Sequence, residues 1–159
     1  MPRLFLDCDG VLADFDTYAT WLLGAPPREF EARHGARRFW ERIAGHEGFF
    51  ERLPLMPDAR ELWDAVAHLR PVILTGLPRG GWAAPQKMRW AGRHFPGARM
   101  VTTMARAKRD HMEAPGDVLV DDLLKYRSLW EEAGGVFVHH RGAWETLDRL
   151  EALGLDVRR

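Results

Sequence analysis

Hydrophobic residues along the chain gather in short continuous runs that alternate with longer segments in which apolar and polar residues recur at helical spacing. Runs that are apolar at every position are typical of strands buried on both faces, and strands that alternate with helices predict a covered parallel sheet. The predicted strands are 4–6, 71–74, 99–103, 117–120 and 136–139. The predicted helices of the same part of the chain are 58–70, 86–95, 124–133 and 143–153.

The segment 14–56 has a different pattern. Aromatic residues such as Tyr18 and Trp21 are scattered among charges, and repeated Gly and Pro residues interrupt the segment. This pattern predicts short helices separated by breaks. We therefore predict an α/β fold with a doubly wound (Rossmann-like) parallel sheet. Residues 1–13 and 57–159 would form its core, and residues 14–56 a small helical cap inserted after the first strand.

The composition is that of one ordinary globular domain. With 159 residues, 46% of them hydrophobic, the chain can bury a core without disulfides or a structural metal. Its 23 Lys and Arg balance 23 Asp and Glu, so we expect neither polymeric nucleic acid nor a membrane as partner. The single Cys and the lack of a leader-like N-terminal segment favour a cytoplasmic location. The sequence leaves open whether the chain forms a homodimer.

Acidic and hydroxyl side chains follow three of the predicted strands at the points where the strands end. Asp7 and Asp9 follow the first strand, and Thr75 follows the second. Asp121 and Asp122 follow the fourth. Because parallel strands end at the same edge of a sheet, where α/β sheets bind ligands, we expect these side chains to lie close together. Four carboxylates need a counter-charge there, and hard oxygen ligands of this kind favour Mg²⁺.

The same residues predict a site for phosphoryl transfer. Asp7 can attack phosphorus to form an aspartyl phosphate, and Asp9 can protonate the leaving oxygen and later take a proton from water. The Thr75 hydroxyl and a nearby cation would complete a cradle for the phosphoryl group. The candidates for that cation are Lys108, the leading one, and its neighbours Arg106 and Arg109.

Four segments resemble the motifs of the haloacid dehalogenase (HAD) superfamily. Residues 4–11 resemble its first motif, 74–76 the second, Lys108 the third and 118–122 the fourth. Their order and their place at strand ends agree with the family over nearly the whole chain. The resemblance implies a phosphatase, because members that break carbon–halogen or carbon–phosphorus bonds usually lack the second Asp of the first motif.

The resemblance also implies a role for each motif residue. It makes Asp7 the nucleophile and Asp9 the acid and base. The residues that it places on the phosphoryl oxygens are Thr75, Gly76 and Lys108. The Mg²⁺ ligands that it implies are Asp7, the main-chain carbonyl of Asp9, Asp121 and Asp122.

Within the superfamily, residues 7–15 are similar to the 5′(3′)-deoxyribonucleotidase group, and residues 38–40 and 49–54 look like stretches of that group's cap. In that group, aromatic cap residues enclose the nucleobase, and stacking on a base is worth about 1 to 3 kcal/mol. The resemblance therefore implies a nucleoside monophosphate as the small phosphorylated substrate. The candidate substrate contacts are Phe15, Phe39, Trp40 and, after the second motif, Arg79.

Two alternatives stay open. One is a phosphatase of a sugar phosphate or another small metabolite, in which the aromatic cap residues would not set the preference. The other is a non-enzymatic phospho-acceptor module, since receiver domains also combine acidic residues, a Thr and a Lys around Mg²⁺. The order of the residues opposes the second alternative, because a receiver carries its acidic pair first and its acceptor Asp on a middle strand.

Overall fold

All five predicted strands form, and together they build one parallel sheet. The computed structural model describes the whole chain, Met1–Arg159. The strands are β1 (Leu4–Leu6), β2 (Val72–Gly76), β3 (Arg99–Thr103), β4 (Val118–Asp121) and β5 (Val136–His139). Their order across the sheet is β3-β2-β1-β4-β5, and every neighbouring pair is parallel. The predicted α/β class and doubly wound sheet are confirmed.

Seven α-helices connect and flank the strands. They are α1 (Phe15–Leu23), α2 (Pro27–His34), α3 (Ala36–Gly45), α4 (Ala59–Val66), α5 (Ala83–His94), α6 (Arg127–Glu132) and α7 (Ala143–Ala152). Two 3₁₀ segments, Ala67–Leu69 and Ala105–His111, follow α4 and β3. The helix α5 begins before Pro85 rather than after it, because the first turn of a helix tolerates proline. None of the helices is long and apolar enough to cross a membrane.

The sheet is covered on both faces, as its continuous apolar strands predict. Leu4 and Leu6 of β1 belong to the larger hydrophobic cluster, which also contains buried residues of α4, α5 and α7. Phe5 points to the opposite face and packs with Trp130 of α6 and Phe137 of β5. Because side chains alternate along a strand, each of these residues is buried against a different layer.

The segment after β1 contains the three short helices α1, α2 and α3, and its two ends lie side by side. Ala13 and Leu55 form an isolated antiparallel bridge, and the Asp14 N–H donates to the Pro54 carbonyl at 2.8 Å. Buried aromatic residues of the segment, among them Phe39, belong to the same hydrophobic cluster as β1. The division into a core and a cap over residues 14–56 stays a prediction.

Asp58 stands at the N-terminal cap position of α4, but its side chain caps a different helix. Its carboxylate makes no capping bond in α4; its Oδ2 accepts a hydrogen bond from the Ala143 N–H of α7 at 2.7 Å. The residue before α7 is Gly142, which has no side chain to offer. Asp58 therefore joins two helices that pack against each other, and it satisfies one of the N–H groups that a helix start leaves free.

We predict that Asp58→Ala lowers the free energy of unfolding by about 1 kcal/mol, because the Ala143 N–H loses its acceptor. Urea denaturation followed by circular dichroism measures this change. Asp58→Asn keeps an oxygen acceptor and should lose less. The control is Asp64→Ala, which removes an exposed carboxylate of the same helix; an equal loss in this control would contradict the capping role of Asp58.

Candidate active site

The carboxyl ends of β1, β2 and β4 carry the predicted acidic and hydroxyl side chains to one edge of the sheet. The chain builds β2 and β3 on one side of β1 and β4 and β5 on the other, so the strand order reverses between β1 and β4. Open α/β sheets bind ligands in the crevice at such a point. The Asp7 N–H donates to the Val120 carbonyl at 2.9 Å, which fixes the end of β1 beside the end of β4.

Lys108 is buried between the acidic residues at the ends of these two strands. Its Nζ donates to Asp7 Oδ1 and to Asp121 Oδ2, each at 2.9 Å. Burial alone would lower the pKa of Lys108, but the charges of the two carboxylates outweigh it and raise the pKa above its ordinary value. The neighbouring Arg106 and Arg109 are exposed, so Lys108 is the residue of this trio that reaches the acidic side chains.

Asp7, Asp121 and Asp122 form a compact acidic cluster. One carboxylate oxygen from each lies within 4.8 Å of the others. Burial raises the pKa of Asp7 to about 6, although Lys108 opposes the shift. Burial, reinforced by the negative charge of Asp7, raises the pKa of Asp122 to about 9. The cluster therefore attracts positive charge strongly.

The free oxygens of this cluster suit a divalent cation. Both oxygens of Asp121 accept hydrogen bonds, from Lys108 and from the Leu123 N–H. Asp122 Oδ1, by contrast, is buried without a hydrogen-bond partner. Oxygen ligands of this kind hold Mg²⁺, so Asp7 and Asp122 are the side chains best placed to hold it directly.

Gly10 makes room for Asp122. Its φ is +85°, a conformation that side chains rarely adopt, and a Cβ placed on it would collide with the Asp122 carboxylate. The turn within the first motif therefore requires glycine at position 10, both for its backbone conformation and for the space that the Asp122 carboxylate occupies.

Asp9 is held by a residue that the sequence reasoning missed, Lys87 of α5. The Lys87 Nζ donates to Asp9 Oδ2 at 2.7 Å and to Thr75 Oγ1 at 2.8 Å. Only 2% of Lys87 is exposed, and its Nζ lies 4.4 Å from the centre of the Phe50 ring. Burial raises the pKa of Asp9, an effect that the Lys87 charge opposes.

A compositional signal for Lys87 was present in the sequence. The chain has three lysines, at positions 87, 108 and 125, among its 23 basic residues. A lysine ammonium is a compact charge with three donors, which fits confined sites where a planar guanidinium does not. Two of the three lysines, Lys87 and Lys108, are buried at the acidic edge of the sheet, whereas Lys125 is exposed.

A cavity of about 230 Å³ opens at this edge of the sheet. The sequence-predicted residues that line it are Asp7, Asp9, Gly76, Lys108, Asp121 and Trp40. Thr75 and Asp122 do not line it, but they are linked to lining side chains through Lys87 and through the acidic cluster. Its aromatic walls include two rings that the sequence reasoning did not select, Phe50 and Tyr126.

The structure does not bring three of the predicted substrate contacts to this cavity. Phe39 is buried, and its ring packs 6.4 Å from that of Phe15. Phe15 in turn packs against Phe49 at 5.4 Å. Arg79 is exposed in the loop after β2, where its carbonyl accepts a hydrogen bond from the Trp82 indole. Of the four predicted contacts, Trp40 alone lines the cavity.

Comparisons with known proteins find a similar fold among solved structures. No protein-family model and no curated protein matches the chain. A hydrolase from Pseudomonas syringae superposes with a TM-score of 0.52 at 15% identity, over 96% of this chain and 99% of that one. A HAD hydrolase, family IA, variant 3, from Entamoeba histolytica HM-1:IMSS gives a TM-score of 0.49 at 12% identity, over 96% and 89%. The fold of this chain is thus that of a known hydrolase structure.

We predict that Gly10→Ala weakens the binding of Mn²⁺, used as a paramagnetic substitute for Mg²⁺, by about tenfold or more, because the added methyl group displaces the Asp122 carboxylate. Electron paramagnetic resonance of free Mn²⁺ measures the binding. The control is Gly97→Ala, which has the same φ of +85° but open space around it. It imposes the same backbone strain, so equal weakening in both variants would contradict the role given to Asp122.

Proposed function

We propose that the protein is a Mg²⁺-dependent phosphomonoesterase of the HAD type that acts through an aspartyl phosphate on Asp7. The observation that carries the proposal is the placement of Asp7 at the strand-order reversal, with Lys108 at 2.9 Å on one side. Asp9 lines the same cavity two residues further along the chain. A nucleophilic carboxylate, a second carboxylate for proton transfer and a fixed cation are the groups that such a reaction needs.

The proposed metal site uses the acidic cluster. Asp7 and Asp122 would hold Mg²⁺ through side-chain oxygens, and the main-chain carbonyl of Asp9 would join them as the family resemblance implies. Bound there, Mg²⁺ supplies positive charge to the phosphoryl oxygens and to the carboxylates around it. Asp121 would hold Lys108 in place and would not bind the metal directly, because its two oxygens already accept hydrogen bonds from Lys108 and from the Leu123 N–H.

The side chains of the chain account for both halves of the reaction. In the first half, an Asp7 oxygen attacks phosphorus while the ester P–O bond breaks, and Asp9 gives its proton to the departing oxygen. In the second half, water loses a proton to Asp9 and attacks phosphorus, and the bond from phosphorus to Asp7 breaks to release phosphate. Lys108 holds Asp7 in place and stabilises its charge before and after the transfer.

The strand order favours this proposal over a receiver-like phospho-acceptor module. Receiver domains share the flavodoxin-like order 2-1-3-4-5, whereas this sheet has the order 3-2-1-4-5. The proposed acceptor Asp7 follows the first strand, not a middle one. The second carboxylate beside it, Asp9, also supplies the group for water activation, which a long-lived phospho-protein does not need.

The cavity favours a nucleoside monophosphate over a sugar phosphate. Trp40, Phe50 and Tyr126 supply aromatic walls, and Leu77 and Leu123 supply aliphatic ones. Outside the group around Asp7, the polar side-chain groups on these walls are the Tyr126 hydroxyl and the Trp40 indole N–H. A sugar with many hydroxyls would lose its hydrogen bonds to water there, whereas a nucleobase offers flat faces for stacking.

We predict that Asp7→Asn abolishes phosphate release from monoesters while circular dichroism and the unfolding midpoint show a folded protein. The change removes the nucleophile and keeps the shape of the side chain. A phosphate-release assay with Mg²⁺ across nucleoside monophosphates and sugar phosphates measures it, with exposed Asp16→Asn as the matched control. Appreciable turnover by Asp7→Asn, or full wild-type activity in EDTA, would contradict the proposed mechanism.

We predict that Trp40→Ala raises the KM for nucleoside monophosphates about tenfold, the lower part of the range that stacking energies of 1 to 3 kcal/mol allow. The KM for glycerol phosphate should not change. Phe39→Leu serves as the control, because this buried ring packs beside Trp40 without lining the cavity. A similar rise in KM for both substrates would favour the small-metabolite alternative.

A further inference from the structure

Lys87 is a buried charged residue that the proposed reaction does not yet use. Its ammonium has three N–H groups and meets three partners: Asp9 Oδ2, Thr75 Oγ1 and the face of the Phe50 ring. A buried ammonium is costly unless it is fully paired, and this one is. Such a complete set of partners fixes the position of the Nζ atom.

Two of the partners of Lys87 anchor its ammonium, which in turn holds Asp9. Thr75 lies at the end of β2 and is 1% exposed, so its oxygen is a fixed anchor for the ammonium. The Phe50 ring provides a second anchor through its negative face. Because an ammonium only donates hydrogen bonds, Asp9 must accept one from it, and Asp9 Oδ2 is thereby held at 2.7 Å.

The second oxygen of Asp9 has no such restraint. Asp9 Oδ1 is buried and has no hydrogen-bond partner. Asp9 is also absent from the acidic cluster that Asp7, Asp121 and Asp122 form. Lys87 is thus the side chain that holds the Asp9 carboxylate, and it holds it apart from that cluster.

We propose that Lys87 is a positioning residue that holds the Asp9 carboxyl group in place for proton transfer to and from the reacting oxygens. The inference rests on the proposed phosphomonoesterase function. In the first half of that reaction, the Asp9 carboxyl group gives its proton to the ester oxygen as the bond from that oxygen to phosphorus breaks. In the second half, the Asp9 carboxylate takes a proton from the attacking water. Lys87 keeps its own three protons throughout.

A pair of esters with different leaving groups tests this role. Nitrophenolate is a stable anion and leaves with little help from an acid, whereas the alkoxide of benzyl alcohol needs a proton. The kcat/KM reports the steps up to release of the alcohol or phenol. We predict that Lys87→Met, assayed with Mg²⁺, lowers kcat/KM for benzyl phosphate more than it lowers kcat/KM for p-nitrophenyl phosphate. The difference between the two losses should be about tenfold or more, which is part of the 10²- to 10⁴-fold effect of general acids.

A control variant separates positioning from packing. Trp90 lies on the same helix and is buried, and its indole donates to the Leu53 carbonyl at 2.9 Å. Trp90→Phe removes this hydrogen bond and leaves the Lys87 and Asp9 side chains in the protein, so it should change kcat/KM for both esters by the same factor. If Lys87→Met also lowers both esters by one common factor, the positioning role is wrong and the proposed function stands.

Lys87→Met leaves Asp9 as an unpaired buried charge, and the variant protein then fails to fold if that charge is too costly. A second variant tests the role of Lys87 in that event. Lys87→Met combined with Asp9→Asn removes that charge, and its ratio of kcat/KM values for the two esters should equal that of Asp9→Asn alone. A further change in the ratio would show that Lys87 does not act through Asp9 and would overturn the inference. If the wild type hydrolyses neither ester, the proposed function falls, and the inference with it.

Discussion

The candidate site depends on two buried ammonium groups that hold carboxylates at the edge of the sheet. Ionised carboxylates removed from water must be paired, because their desolvation otherwise outweighs what folding gains. Lys108 joins Asp7 to Asp121, and Lys87 joins Asp9 to the end of β2. Asp122 has neither ammonium, and burial beside the charge of Asp7 raises its pKa, which disfavours its ionised form. A divalent cation would compete for the same oxygens.

The two lysines separate the carboxylates that suit a metal from the carboxylate proposed for proton transfer. Lys108 keeps Asp7 inside the cluster whose oxygens suit a metal, and Lys87 holds the Asp9 side chain outside it. The turn between these two acids supports the division. The Cys8 carbonyl accepts hydrogen bonds from the N–H groups of Val11, Leu12 and Ala13. These bonds hold the backbone of the turn in which Asp9 stands, and Lys87 holds its side chain.

The sequence was sufficient for the parts of the molecule whose pattern is local. Continuous apolar runs predicted β1, β2, β4 and β5, and the more polar segment 99–103 was predicted as a strand as well. The polar residues that follow these runs predicted the acidic edge of the sheet. The sequence could not separate Lys108 from its basic neighbours Arg106 and Arg109. The composition of a 3₁₀ segment does not show which of its residues face the sheet. Lys87 is twelve residues from Thr75 along the chain and lies on α5. Its place beside Asp9 follows from the packing of that helix against the sheet, and no sequence motif contains this information.

The same limit applies to the aromatic residues of the segment after β1. Phe39 and Trp40 are neighbours in the sequence, but adjacent residues on a helix point in different directions, and only the tertiary packing decides which ring meets the cavity. Here α3 buries Phe39 and turns Trp40 to the cavity. Whether the segment behaves as a separate cap stays a prediction, since its buried rings belong to the core of the sheet.

Phe50 shows why those rings matter to the charges. Its backbone N–H donates to Gln86 of α5 at 2.9 Å, and its ring lies beside the Lys87 ammonium and also lines the cavity. One side chain therefore shields the Lys87 ammonium from water and forms part of the wall that a substrate would meet. In a drier environment the pair attracts more strongly. The aromatic content of the segment after β1 thus serves the electrostatics of the acidic edge as well as the packing.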